Sequence, residues 1–132
     1  MSAVHAAQGQ PVDPRLEAFV TDLIDRVADK WTMIVLEVLA ERGEMRFTAL
    51  GVQVPGISQK MLTQTLRQLE RDGLVFRTIH PVILPRVDYR LTELGQSLGA
   101  AFCGVWIWAE THQSQIEASR RAYDARLRAD AP

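Results

Sequence analysis

The spacing of apolar residues changes twice along this chain, and the two changes set the order of its elements. Up to Leu69 the apolar residues recur at three and four, between Leu74 and Leu91 they cluster as β-branched and aromatic or alternate with polar ones, and from Leu94 the helical spacing returns. Leu16, Phe19, Val20, Leu23, Ile24 and Val27 form one stripe of a first helix, with Asp13 as its cap and Pro14 in its first turn. A second helix is expected from about Trp31, with Ile34, Val35, Val38 and Leu39 inward, stopping before Gly43. Phe47 to Val52 reads as a short third helix. Pro55-Gly56 then makes a turn, Ser58 caps, and Ile57, Met61, Leu62, Leu66 and Leu69 give the inward face of a fourth helix ending near Asp72-Gly73.

Leu74 to Ile79 and Val87 to Leu91 read as two strands. Pro81 and Pro85 cannot donate to a strand ladder, so His80 to Arg86 is expected as the tip of an antiparallel hairpin. Thr92 caps a long last helix running through Ala109 at least. Along it Leu94, Leu98, Ala101, Phe102, Val105, Ala109 and His112 make a stripe too long for one small domain to cover, which calls for a partner. Trp106 and Trp108 leave this helix in different directions, and at least one is expected to bury against a partner chain or its first helix. A pocket lined by Trp106, Phe102 and Phe19 is the alternative.

At 132 residues, the chain is about one domain long. Apolar residues at 47% and charged residues at 23% exclude a disordered chain. No apolar run approaches the roughly 18 to 20 residues of a membrane span. Met1 to Gln10 lacks the basic start and apolar stretch of a secretory signal, and the lone Cys103 has no internal disulfide partner, so a reducing cytoplasm is the expected compartment. The expected organisation is a disordered arm over 1–12, one domain over 13–112, and a helical or frayed extension over 113–132.

Net charge is −1, but it is segregated: 1–57 sums to −3, 58–90 to +3 and 91–132 to −1. A central basic excess suits phosphate binding, though a solvated face would look alike. An enzyme reading finds little support. His5, His80 and His112 are far apart without metal-type spacing, one cysteine makes no zinc set, and no glycine-rich phosphate loop or nucleophile elbow occurs. No cofactor is expected.

Helices, a tight turn, another helix, a hairpin and a long terminal helix make the layout of a winged helix-turn-helix, mostly α with a small β wing. Pro55-Gly56-Ile57-Ser58-Gln59-Lys60-Met61-Leu62-Thr63-Gln64-Thr65-Leu66-Arg67-Gln68-Leu69-Glu70-Arg71-Asp72-Gly73-Leu74-Val75 resembles the recognition-helix signature of HxlR-type transcriptional regulators. Pro85-Arg86-Val87-Asp88-Tyr89-Arg90-Leu91-Thr92-Glu93-Leu94-Gly95 is similar to that family's second wing strand and the start of its dimer helix, and Lys30-Trp31 resembles its Gly-Lys-Trp element. Two departures stand out. Ala18-Phe19-Val20 occupies the place of the Cys-Pro-Val that many members use to sense oxidants, and Asp29 replaces a glycine before Lys30.

The resemblance implies a homodimer on double-stranded DNA, with repression as the family's habit. Gln59, Lys60, Thr63, Gln64 and Arg67 share the outer face of the fourth helix, where Gln can pair with adenine and Lys or Arg with guanine. His80 and Arg86 at the wing tip, with Arg77 and Arg90 along its strands, are placed for phosphate or the minor groove, although Arg90 could equally pair with Asp88 or an acid on the helices. Lys30 and Thr32 start the second helix, where free N–H groups favour a phosphate. The dimer contact is expected from Leu94, Leu98, Phe102, Val105, Trp106, Ala109 and Phe19. Cys103 has no basic residue within four positions to activate it, and is expected simply to pack. Any small-molecule effector is unreadable. The competing reading is a winged-helix protein-interaction module that does not bind DNA.

Overall fold

The computed structural model describes residues 13–130, so the arm expected over 1–12 lies outside the described residues. The elements are α1 (Pro14–Val27), α2 (Lys30–Arg42), β1 (Met45–Arg46), α3 (Phe47–Gln53), α4 (Gln59–Arg71), β2 (Val75–His80), β3 (Arg86–Leu91) and α5 (Glu93–Asp130). They divide into two compact units, the first ending at Gln96 and the second beginning at Ser97. None of the described helices is long and apolar enough to cross a membrane.

Four of the five helices start at a side-chain cap, and α3 begins after Arg46 without one. Asp13 accepts a hydrogen bond from the Arg15 N–H at 2.9 Å, with Pro14 as the first helical residue. Asp29, the residue in place of a glycine, caps α2 by accepting from the N–H and hydroxyl of Thr32 at 3.2 and 3.3 Å. Ser58 caps α4 by accepting from the Met61 N–H at 3.0 Å. The far end of α4 closes as a Schellman motif: Leu74 N–H reaches Leu69 C=O, Gly73 N–H reaches Glu70 C=O, and Gly73 takes the left-handed φ of 76°.

The sheet has three antiparallel strands in the order β1-β3-β2, one more than the expected hairpin. The added strand β1 is two residues long, pairing Met45 with Tyr89 and Arg46 with Asp88, too short to leave a periodic signal. The hairpin itself runs one residue further than expected at each end of the loop. His80 and Arg86 are therefore the last ladder pair, and the loop is 81–85.

The core of the first unit gathers Val35, Leu36 and Leu39 of α2, Leu50, Val54, Leu62, Leu66 and Leu69, with Leu74, Val75, Tyr89 and Leu91 from the wing. Two inward faces differ from expectation. α2 touches α1, α3, α4 and β3, so its buried arc wraps further and takes in Leu36, while Ile34 and Val38 stay half-buried. On α4 the buried set is Leu62, Thr65, Leu66 and Leu69, which leaves Met61 exposed at the edge of the stripe.

α1 buries none of its residues. Its last turn is held by Arg26, whose guanidinium donates to Asp72 at the C-cap of α4 at 2.9 Å and also pairs with Asp22 at 3.3 Å. At the start of α5 the Thr92 hydroxyl donates to Gly73 C=O at 2.7 Å and accepts from Gly95 N–H at 3.0 Å, the expected cap. Gly95 is buried, and a Cβ there would run into the Leu74 carbonyl.

In the second unit α5 continues as helix to Asp130, including the stretch expected to be helical or frayed. Trp106 donates its indole N–H to Glu110 at 2.7 Å, and the Trp108 and His112 rings stack at 4.6 Å. Both indoles are exposed in the single chain, which leaves them free for the partner contact expected of at least one of them.

Candidate nucleic-acid interface

The two faces of α4 are chemically distinct. Leu62, Leu66 and Leu69 fix the helix in the core, and that packing turns Gln59, Lys60, Gln64 and Arg67 outward and exposed. Thr63 is half-buried and its hydroxyl donates to Gln59 C=O at 2.9 Å, so toward a ligand it offers its lone pairs and methyl group. The first turn carries no acidic residue to oppose an anion.

Beside this face lies an open cleft of about 670 Å³ between α3, α4 and the wing. Arg46, Arg67, Arg77 and Arg86 all line it, together with Thr48 and Thr63, against a single carboxylate, Glu70. Among the described residues Arg46, Arg67 and Arg77 take part in no ion pair, and Arg86 reaches only Asp88, at 3.6 Å from its Nε. Four guanidinium groups and one acid make the cleft an electropositive trough, and arginine is the residue best shaped to grip phosphate.

Sequence reasoning missed Arg46. It enters the cleft because β1 pairs it opposite Asp88, and the one available signal was a basic residue immediately before a short helix.

The wing holds its basic groups in place. Asp88, 7% exposed at its side chain, accepts a hydrogen bond from His80 Nε2 at 2.9 Å and faces Arg86 through the same oxygen; its other oxygen is buried without a hydrogen-bond partner. Arg90 does not pair with Asp88. Its guanidinium lies 4.3 Å from the Phe76 ring centroid, a cation–π contact on the wing surface.

Two candidates from the start of α2 fare differently from expectation. Thr32 is buried with both its N–H and its hydroxyl on the Asp29 carboxylate, so the free N–H expected for a phosphate is already used and a negative charge stands at that helix end. Lys30 is exposed, but it lies over the Trp31 ring at 4.5 Å and outside the arginine cleft.

The residues expected at a dimer contact are partly bare in the single chain. Phe19, Val105, Trp106 and Ala109 are exposed, Leu94 is more than half exposed, and Leu98 and Phe102 are half-buried. Cys103, expected to pack, is exposed.

The HxlR-like helix-turn-helix family matches residues 26–117. The chain belongs to this family. An uncharacterised HTH-type transcriptional regulator of Methanothermobacter thermautotrophicus is 38% identical over 96 residues, covering 73% of this chain and 72% of the relative. The structure of a putative transcriptional regulator, ytfH, from Salmonella typhimurium superposes with a TM-score of 0.67 at 33% identity, over 77% of this chain and 90% of that one. The reduced form of the transcriptional regulator YodB from Bacillus subtilis gives 0.63 at 32% identity, over 76% and 93%. The HxlR-like chain is thus a winged helix-turn-helix of a transcriptional-regulator family whose relatives are regulators and not enzymes. In it, α3 and α4 are the helix-turn-helix and β2-β3 the wing.

Proposed function

We propose that this chain is a cytoplasmic homodimer that binds double-stranded DNA at an inverted-repeat operator and represses transcription. The observation that carries the reading is the exposed polar face of α4 beside a cleft lined by four arginines. Gln59, Lys60 and Thr63, with Gln64 and Arg67 further along, read base edges in the major groove. Arg86 and His80 on the wing, with Arg46 and Arg77 behind them, hold the phosphate backbone. The apolar side chains of α1 and α5 pair two chains, with Phe19, Leu94, Leu98, Phe102, Val105, Trp106 and Ala109 at the contact. Two-fold symmetry then sets the half-sites about 10 base pairs apart or a multiple of that.

Base reading and phosphate holding separate in a titration against duplexes recovered by the wild type from a random-sequence pool. Gln59→Ala is expected to cost about 1 to 3 kcal/mol on the recovered sequence and to relax discrimination at particular positions. Arg86→Ala is expected to weaken all sequences nearly alike and to lower the salt slope by about one per chain. A base preference that shifts with Arg86→Ala and not with Gln59→Ala would make the wing the reader. No retardation of any duplex by an intact dimer would favour a protein-interaction module.

A further inference from the structure

The wing ends in an apolar point. Loop 81–85 reads Pro-Val-Ile-Leu-Pro, and Val82, Ile83 and Leu84 are 58%, 100% and 83% exposed. Isolated apolar side chains on a surface are ordinary, but three in a row at the tip of a projecting hairpin are not. The tip is also stiff. Pro81 and Pro85 bracket it, and Val82 N–H closes a three-residue turn around Pro81 onto His80 C=O at 2.9 Å.

The chemistry on either side of the tip indicates what it meets. His80 and Arg86 flank it as the last ladder pair, both tied to the buried Asp88. Leu84 and Pro85 themselves line the arginine cleft, so the apolar point is continuous with a surface that carries four arginines. An apolar centre between cations matches a DNA minor groove, whose walls are phosphate-rich and whose floor is base edges and stacked faces. That groove is about 6 Å wide, which excludes a helix and admits a single turn.

We infer that Ile83 and Leu84 form a wedge that enters the minor groove and partly unstacks a base step, while Arg86 grips the adjoining phosphates. The inference rests on the DNA-binding reading above and adds a deformation to it. Apolar wedges open base steps and bend the duplex toward the major groove, which confers a preference for easily unstacked pyrimidine–purine steps without any hydrogen bond to a base. The bend would bring more of the backbone onto Arg46 and Arg77.

The test uses the full chain and a duplex that the wild type recovers from a random-sequence pool, labelled at its two ends with a fluorescent donor and acceptor. The wild type is expected to shorten the end-to-end distance. Ile83→Ser with Leu84→Ser is expected to bind on the order of tenfold more weakly and to lose most of the bend, with the salt slope unchanged because no charge has been removed. Ile83→Met with Leu84→Met keeps an apolar tip and should retain the bend. These side chains are solvated, so folding is not at stake. Wild-type affinity and bend in the double serine variant would overturn the wedge while leaving DNA binding intact. Reduced self-association in that variant would overturn it in favour of a contact between copies. A wild type that retains no duplex from the pool would remove the DNA-binding reading, and the wedge with it.

Discussion

α4 and the part of α5 beyond Gln96 look alike as sequences, since both carry apolar residues at three and four. In the fold they part company. α4 covers Leu62, Leu66 and Leu69 against α2, the wing and the residues around α3 and leaves only Met61 of its stripe exposed, whereas the second unit leaves Val105, Trp106, Ile107 and Trp108 more than half exposed. Periodicity reports that a face wants covering and says nothing about whether the same chain supplies the cover. A stripe satisfied at home stabilises the fold, and a stripe left bare stores driving force for association.

Truncating each stripe probes that contrast most strongly. Leu66→Ala removes a fully buried side chain and is expected to destabilise the fold by about 2 to 5 kcal/mol in urea unfolding, by an amount independent of protein concentration. If the proposed homodimer buries it, Val105→Ala should show a loss that shrinks on dilution. A concentration-independent loss at Val105 as large as that at Leu66 would erase the distinction.

The next largest effect is expected on assembly alone. Phe102→Asp places a charge on the α5 stripe and should weaken self-association by about 2 to 3 kcal/mol, roughly 30- to 150-fold, in sedimentation, with an unchanged circular dichroism spectrum. A variant that stays as dimeric as the wild type would show that this stripe is not where copies meet.

The smallest effect belongs to Cys103, exposed on the same helix. Cys103→Ser is expected to change stability by less than about 0.5 kcal/mol. It should also leave any effect of diamide on DNA retardation unaltered. Release of DNA by oxidised wild type alone would assign the thiol a sensing role despite the absence of a cysteine near Phe19.

Most of the element order was legible because caps and breakers are local chemistry: Asp13, Ser58 and Thr92 each bond within three residues, and Gly43 and Gly73 take the left-handed turns their positions suggest. What was illegible depended on distant partners. β1 exists only through Tyr89 and Asp88, and Leu36 is buried because α2 is surrounded. At the candidate interface the outward residues of α4 followed from its helical phase. Thr32 could not be judged without seeing Asp29 turn back onto it, Arg90 chose Phe76 over Asp88, and Arg46 became visible only when the sheet carried it to the cleft.

That last strand pair also imposes an order in time. Met45 and Arg46 wait for partners more than forty positions downstream, whereas β2 and β3 meet across a five-residue loop. A chain emerging from the ribosome can wind α2, α3 and α4 long before β3 is made, yet it cannot seat Arg46 opposite Asp88. The arginine cleft therefore cannot be completed before β3 is made. A nascent chain carries the polar face of α4 before the four arginines beside it are brought together.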